Sequence, residues 1–169
     1  MGNDQLHNKS KLPKAESFLR KNPNRANPRV LIVCEGKKTE PNYFNQLRKH
    51  LGILKERVVI ADKKSGLDPM RLVEYALKEF KEEPSFDHVY CVFDRDKHTT
   101  FKAAVDKIHV TKLKNKATLH AVTSSPCFEL WLLLHFDYTT RSFSTSGDDS
   151  NCTPVVSELK RHIPNYEKG

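Results

Sequence analysis

The sequence predicts an α/β fold with a roughly four-stranded, mainly parallel sheet and helices on both of its faces. Two short apolar runs, 29–34 and 88–93, are almost continuous. Such runs are typical of strands that are covered on both faces of a parallel sheet. Segments with the apolar spacing of helices alternate with the strands, which gives the order βαβαβαβα. This order implies right-handed crossovers and helices on the two faces of one sheet.

Each element is predicted from its own pattern. Strands are predicted at 29–34, 57–61, 88–93 and 117–122. Helices are predicted at about 41–51, from 69 to before Pro84, from about 99, at 127–136, and from 154 to about 162. Asp68-Pro69 indicates a helix start, because aspartate caps helices and proline suits the first helical position. Ser125-Pro126 is interpreted as a second start of this kind.

The chain is long enough for one domain of ordinary size. Residues 1–28 are basic and rich in proline, and we expect a poorly ordered arm that either contacts nucleic acid or keeps the protein in solution. Residues 29–138 form the predicted α/β domain. Residues 139–153 are polar and are predicted to be a mobile loop. Residues 154–169 are predicted to be a C-terminal helical segment of the same domain.

The charge balance favours a polyanionic partner. Lys and Arg number 29 against 21 Asp and Glu, a formal net charge of +8. Nucleic acid is the commonest partner of so basic a chain, although a generally basic, solvated surface is the alternative. No apolar run approaches the roughly 20 residues that span a bilayer, and the N-terminus lacks the apolar core of a signal peptide. We therefore expect a cytoplasmic protein without a membrane partner.

The four cysteines do not have the spacing of a zinc site. No pair is separated by two residues, so a structural zinc site is not expected. Cys34 and Cys91 fall late in predicted strands and are expected to pack as small apolar residues. Disulfides are not expected in the reducing compartment that the sequence favours.

Acidic residues follow two of the predicted strands. Glu35 comes directly after the first strand, and Asp94 and Asp96 come after the third. Chemistry in open parallel sheets lies outside the carboxyl ends of the strands. Carboxylates that meet there suit Mg²⁺ or Mn²⁺, and Glu35 is in addition a candidate general acid or base. The alternatives are a solvated Glu35 and an ordinary turn at Asp94 to Asp96. Gly36 is expected to use backbone angles that other residues cannot adopt.

Two further glutamates are candidates for the same site. Glu40 is a candidate metal ligand, but acids also favour helix N-termini. Glu129 is the one charge in the apolar segment 127–136, so a partner or a metal ion is expected if it is buried. Its alternative is a contact with the helix dipole. His135, in the same segment, is interpreted as structural or as paired with the dipole, with proton transfer as the alternative.

Basic residues flank the acidic ones. They are expected to contact phosphates or to offset repulsion between the carboxylates, and the alternative is that they are simply solvated. These residues are Lys37, Lys38, Arg95 and Lys97.

Three stretches together resemble the RloB-like family. They are CEGKKTEPNYF at 34–44, VFDRD at 92–96 and SSPCFELWLLLHF at 124–136, and the last is the most specific. The resemblance covers about residues 29–138. Members of that family occur beside restriction and phage-defence genes. The family in turn is similar to TOPRIM domains, which are found in topoisomerases, primases and OLD-type nucleases, and this implies a TOPRIM or Rossmann-like form of the α/β fold.

The resemblance implies a set of site residues. The TOPRIM signature of a Glu after strand one and Asp-x-Asp after strand three maps onto Glu35, Asp94 and Asp96. OLD-type nucleases use a further acid after the first, which suggests Glu40, although one more residue separates the two glutamates here. Independently of the resemblance, Glu129 is with Glu35 a candidate catalytic residue, which is expected to complete or orient the site as residues that support metal ligands do. Related domains also carry a late basic catalytic residue, for which no position is assigned.

The leading hypothesis is therefore a divalent-metal-dependent nuclease that hydrolyses DNA or RNA in antiviral or abortive-infection defence. One alternative is a non-catalytic module that senses nucleic acid or a nucleotide and signals to a partner. A second is a nucleotidyl- or phosphoryl-transfer enzyme with a small substrate. The sequence has no G-x-x-x-x-G-K-[ST] loop, so any ATP-driven step is assigned to an ATPase or restriction-system partner.

Overall fold

The four predicted strands form a single parallel sheet. The computed structural model describes residues 28–61, 67–95, 98–143 and 152–168. The strands are β1 (Val30–Cys34), β2 (Val58–Ile60), β3 (His88–Asp94) and β4 (Thr118–Ser124). Their order across the sheet is β2-β1-β3-β4, and every neighbouring pair is parallel. The predicted parallel α/β architecture is confirmed.

The register of the sheet brings the ends of β1 and β3 to one edge. Cys34 at the end of β1 pairs with Val92 of β3, and Asp94 pairs with Ser124 of β4. The backbone N–H of Glu35 donates to the carbonyl of Val92 at 2.8 Å, which extends the β1–β3 ladder by one residue. Residues that follow β1 and residues that end β3 therefore leave the sheet side by side.

Five α-helices lie in the described part of the chain, and helices cover both faces of the sheet. They are α1 (Thr39–His50), α2 (Pro69–Glu82), α3 (Phe101–Val110), α4 (Glu129–Leu133) and α5 (Thr153–His162). On one face, β1 and β3 pack against apolar residues of α2 and α3 in the largest buried cluster. On the other face, Ile32, Cys34 and Val92 pack against Phe128 and the α1 rings of Tyr43 and Phe44. No helix in the described part of the chain is long and apolar enough to cross a membrane.

A third apolar cluster attaches α5 to α4. Leu133 of α4 packs with Val155 and Leu159 of α5, and both cysteines of a Cys127–Cys152 disulfide belong to this cluster. The expectation that the chain has no disulfide is therefore wrong. The two cysteines are 25 residues apart in sequence, but packing of α4 against α5 brings their Cα atoms to 5.7 Å, within bonding range.

The other two cysteines behave as expected. Cys34 is 1% exposed and Cys91 is 0% exposed, and each packs in an apolar cluster of the sheet. Burial also raises the pKa of the Cys91 thiol to about 12, which suits a packing role rather than a reactive one.

The segment 127–136 differs from its prediction. Only Glu129–Leu133 is α-helical, and Ser125 does not cap it. At both ends of the segment, backbone N–H groups bond to carbonyls three residues back, as Leu130 does to Cys127 and Phe136 to Leu133. Hydrogen bonds to the carbonyl three residues back form turns tighter than an α-helix, so the α-helix is confined to the middle of the segment.

Two of the predicted segments are only partly described. The basic arm at 1–28 lies outside the described residues except for Pro28. Of the predicted loop at 139–153, the structure describes 139–143 and 152–153.

The start of α2 gives a first testable prediction. The Asp68 carboxylate accepts the backbone N–H groups of Met70 and Arg71 at 3.1 and 3.2 Å, and also the hydroxyl of Thr100. We expect Asp68→Ala to lower the free energy of unfolding by about 1 kcal/mol, as loss of such a cap does elsewhere. Urea denaturation measures this change, and Asp106→Ala on the exposed face of α3 is the control. Equal midpoints for the two variants would contradict the assignment of the cap.

Candidate metal centre

The site begins where β1 and β3 end. Glu35 Oε2 accepts a hydrogen bond from the backbone N–H of Asp94 at 2.9 Å. Glu35 Oε1 lies 3.2 Å from Nε2 of His98, on the chain that follows β3. The prediction that these distant loops meet at one edge of the sheet is confirmed for Glu35 and Asp94. Asp96 and Lys97 lie outside the described residues, so their predicted roles remain predictions.

Glu40 joins the site from the first turn of α1. Its side chain is folded back, and Oε1 accepts the backbone N–H of Gly36 at 3.1 Å. A Cβ atom on Gly36 would lie 2.0 Å from Glu40 Oε2. Gly36 was expected to use backbone angles that other residues cannot adopt. This expectation is wrong, because among the described glycines Gly52 has a positive φ and Gly36 does not. Gly36 instead leaves room for the Glu40 carboxylate, which is 6% exposed.

Glu129 lines the same cavity as these carboxylates, and it is the first residue of α4. It is 1% exposed, and a buried carboxylate needs partners. The hydroxyl of Tyr166 donates to Oε1 at 2.9 Å, and Lys168 Nζ lies 3.5 Å from Oε2. The expectation of a partner is thus met by two residues of the C-terminal segment. Burial raises the pKa of Tyr166 to about 12, so the phenol stays protonated and donates at neutral pH.

One cavity of about 190 Å³ is lined by the carboxylates of Glu35, Glu40, Asp94 and Glu129. Lys168 supplies the one ammonium among the described residues that line the same cavity. The pKa of Asp94 is raised to about 8, mainly by burial and in addition by the charges of Glu40, Glu35 and Glu129, while the charge of Lys168 opposes the rise. The lining residues are Glu35, Gly36, Thr39, Glu40, Asp94, Phe128, Glu129 and Lys168.

The donor set fits a hard divalent cation. Among the described lining residues, four carboxylates share the cavity with one ammonium, so a further positive charge there would be favoured. Mg²⁺ and Mn²⁺ are bound in proteins through carboxylate oxygens, and a cation in this cavity would favour ionised Asp94. Glu35, Glu40 and Asp94 are the residues that would hold such an ion, with Glu129 beside them. Their side chains would have to move closer together, because among the described residues the three ligand atoms that lie within 4.8 Å of one another belong to Cys127, Glu129 and Cys152.

A larger groove adjoins the cavity. It measures about 550 Å³ and shares Thr39 and Lys168 with the cavity lining. Its walls combine polar side chains with apolar surface and come from α1, α4 and the C-terminal segment. They consist of Lys38, Thr39, Asn42, Tyr43, Gln46, Leu132, Tyr166, Glu167 and Lys168.

The remaining predicted residues lie around this site. Lys38 lines the groove, and Lys37 is exposed beside it. Arg95 is exposed, with its guanidinium 6.0 Å from the centre of the Phe101 ring. His135 lies outside both lining sets, and its Nε2 is 3.1 Å from the hydroxyl of Tyr43. This contact agrees with the structural interpretation of His135.

Sequence reasoning missed Tyr166, Lys168 and His98. The segment that carries Tyr166 and Lys168 has no motif or periodicity, so only its fold-back against α4 reveals its place. The one hint was the late basic residue that the family resemblance implies. His98 follows Asp94 closely and could have been considered as a partner of the acids.

A parallel-sheet α/β domain with an acidic cavity at the carboxyl ends of its strands is the class that fold and site define. Residues 30–169 match the model of the RloB-like protein family, and the chain belongs to that family. The match extends the resemblance at 29–138 through the C-terminal segment. Neither a curated protein nor a solved structure matches the chain.

The raised pKa of Asp94 predicts how stability changes with pH. Its pKa is about 8 in the folded protein and 3.8 for an ordinary aspartate, so folding favours the protonated form. This contribution to stability is complete below about pH 4 and is lost as the pH rises towards 8. Without divalent ions, we expect the melting temperature of the wild type to fall over this range more than that of Asp94→Asn. If the melting temperatures of the two proteins fell equally over this range, the raised pKa of Asp94 would be contradicted.

The close contact at Gly36 gives a prediction about metal binding. Gly36→Ala is expected to displace the Glu40 carboxylate and weaken Mn²⁺ binding by roughly 10–100-fold, as loss of supporting contacts does at other metal sites. Calorimetric titration of Mn²⁺ measures the affinity. Gly52→Ala is the matched control, because its positive φ of 65° costs stability while its place beyond α1 leaves the cavity unchanged. Wild-type affinity in Gly36→Ala would exclude a role of Glu40 in binding.

Proposed function

We propose that this protein is a divalent-metal-dependent nuclease that hydrolyses phosphodiester bonds of DNA or RNA in antiviral defence. The observation that carries the proposal is the convergence of four carboxylates and one lysine on a small cavity beside an open groove. Such a cluster is costly without a cation, because burial and mutual repulsion disfavour the ionised forms.

The acidic residues at the strand ends are the proposed metal ligands. Glu35 and Asp94 are the proposed ligands of Mg²⁺ or Mn²⁺, with Glu40 as a third and Asp96 as a further ligand implied by the TOPRIM signature. A divalent ion bound there supplies charge stabilisation at a phosphoryl oxygen and a more acidic water. His98, 3.2 Å from Glu35, helps to fix the orientation of that carboxylate.

Lys168 is the proposed late basic residue. Its Nζ lies 3.5 Å from Glu129, and Lys168 lines both the cavity and the groove. An ammonium at the boundary between them suits contact with a phosphate that enters from the groove. Glu129 is then a positioning residue, since it is 1% exposed and its carboxylate lies against both Lys168 and the Tyr166 hydroxyl.

The groove supports a polymeric substrate. It is far larger than the cavity and is lined by Lys38, Asn42 and Gln46, which are suited to phosphate and sugar contacts. The net charge of +8 favours a polyanion as well. The defence role rests on the genes that accompany the family, and an ATPase or restriction-system protein is the partner that this setting suggests.

Removal of the acidic ligands tests the proposal. We expect the wild type to cleave at least one of plasmid, single-stranded DNA and total RNA when Mg²⁺ or Mn²⁺ is present. Glu35→Gln and Asp94→Asn should each lower the rate by at least about 100-fold, which corresponds to several kcal/mol of transition-state stabilisation. Gel-based cleavage assays at matched protein concentration measure the rates.

The controls separate loss of chemistry from loss of fold. Glu74→Gln removes an exposed acid of α2 and is expected to cleave at the wild-type rate. Lys168→Ala is expected to lose activity, whereas Lys160→Ala on α5 is expected to keep it. Cleavage that persists in well-folded Glu35→Gln and Asp94→Asn would overturn the proposal that this site is the centre of a metal-dependent nuclease. Metal-dependent binding of a polymer without turnover would favour the sensing module instead.

A further inference from the structure

The disulfide between α4 and α5 lies directly beside Glu129. Cys127 and Cys152 are 2% and 4% exposed. Oε2 of Glu129 is 3.2 Å from Sγ of Cys152, and Lys168 Nζ is 3.3 Å from the same sulfur. One ligand atom from each of Cys127, Cys152 and Glu129 lies within 4.8 Å of the other two. Two sulfur atoms and one carboxylate thus form a compact, buried set.

This set differs in chemistry from the carboxylate cavity. Two thiolates and one carboxylate are ligands for a soft or borderline cation, and Zn²⁺ is held by three such protein ligands in many sites. Two thiolates, the Glu129 carboxylate, a zinc ion and the Lys168 ammonium are together electrically neutral. A buried site without net charge avoids the cost of an unpaired charge.

We propose that the reduced form of this protein has a second metal site, in which Cys127, Cys152 and Glu129 bind Zn²⁺. A dithiol reductant breaks the S–S bond and becomes a disulfide itself, and the two electrons and two protons that it gives up convert the cysteines to thiols. Zinc binding then displaces the two thiol protons to solvent. The disulfide form lacks this site, because neither of its sulfur atoms is a thiolate.

The proposed site shares Glu129 with the carboxylate cavity. A zinc ion would draw on the same carboxylate that positions Lys168, so occupancy of the zinc site alters the other centre. This coupling rests on the proposed function. Zinc binding itself does not, since it depends only on the two sulfur atoms and one oxygen.

Metal content of the intact chain tests the proposal. The protein is reduced with dithiothreitol, freed of reductant without air, incubated with Zn²⁺ and desalted. Elemental analysis is expected to find about one more zinc ion per chain in the reduced form than in the disulfide form. Measurement in the Asp94→Asn background prevents the carboxylate cavity from contributing. Equal zinc content in the two forms would overturn the proposal.

Variants identify the ligands. Cys127→Ser and Cys152→Ser are expected to lose the additional zinc, and Glu129→Gln should weaken binding by at least about tenfold. Cys91→Ser is the control, because Cys91 is equally buried but lies in the cluster between β3 and the helices. Retention of zinc in Cys152→Ser would contradict the site.

A spectroscopic measurement avoids substitution altogether. Cd²⁺ added to the reduced wild type is expected to give the thiolate-to-metal charge-transfer absorption of two thiolates. The disulfide form is expected to give no such band. Absence of the band in the reduced protein would overturn the proposal even if the serine variants failed to fold. If the reduced protein gives the band but cleaves no nucleic acid, the second metal site stands and only the proposed nuclease function is overturned.

Discussion

Repulsion between carboxylates is the constraint on which the site depends. Glu35, Glu40, Asp94 and Glu129 share a cavity of about 190 Å³, where burial and the charges of the three glutamates raise the pKa of Asp94 to about 8. A fold retains such a cluster when something positive compensates it. Lys168 supplies one such charge, and a divalent cation is the source that we propose for the rest.

The fold holds the cluster together from several directions. The β1–β3 register fixes Glu35 beside the backbone of Asp94, while α1 folds Glu40 back over Gly36. Helix α4 and the C-terminal segment contribute Glu129 and Lys168, and the apolar cluster between α4 and α5 holds that segment in place. The apolar core thus sets the positions of charges that would otherwise separate.

The order and direction of the elements could be predicted from the sequence, because strand and helix periodicities are local. The meeting of Glu35 and Asp94 could be predicted too, since parallel strands end at a common edge. The roles of Tyr166 and Lys168 could not, because they depend on packing of α5 against α4 rather than on any local pattern. The disulfide was not predicted because the sequence favoured a reducing compartment, and because the meeting of Cys127 and Cys152 depends on the same packing. Gly36 was singled out correctly, but its reason is contact with Glu40 and not a left-handed backbone.

Anomalous diffraction from a crystal soaked in Mn²⁺ tests the central claim most directly. We expect a manganese peak inside the cavity, within coordination distance of the carboxylates of Glu35 and Asp94. The same crystal form of Asp94→Asn should show a weaker peak or none. A wild-type crystal that carries ordered manganese elsewhere but none between these two carboxylates would contradict the metal centre and the nuclease that is built on it.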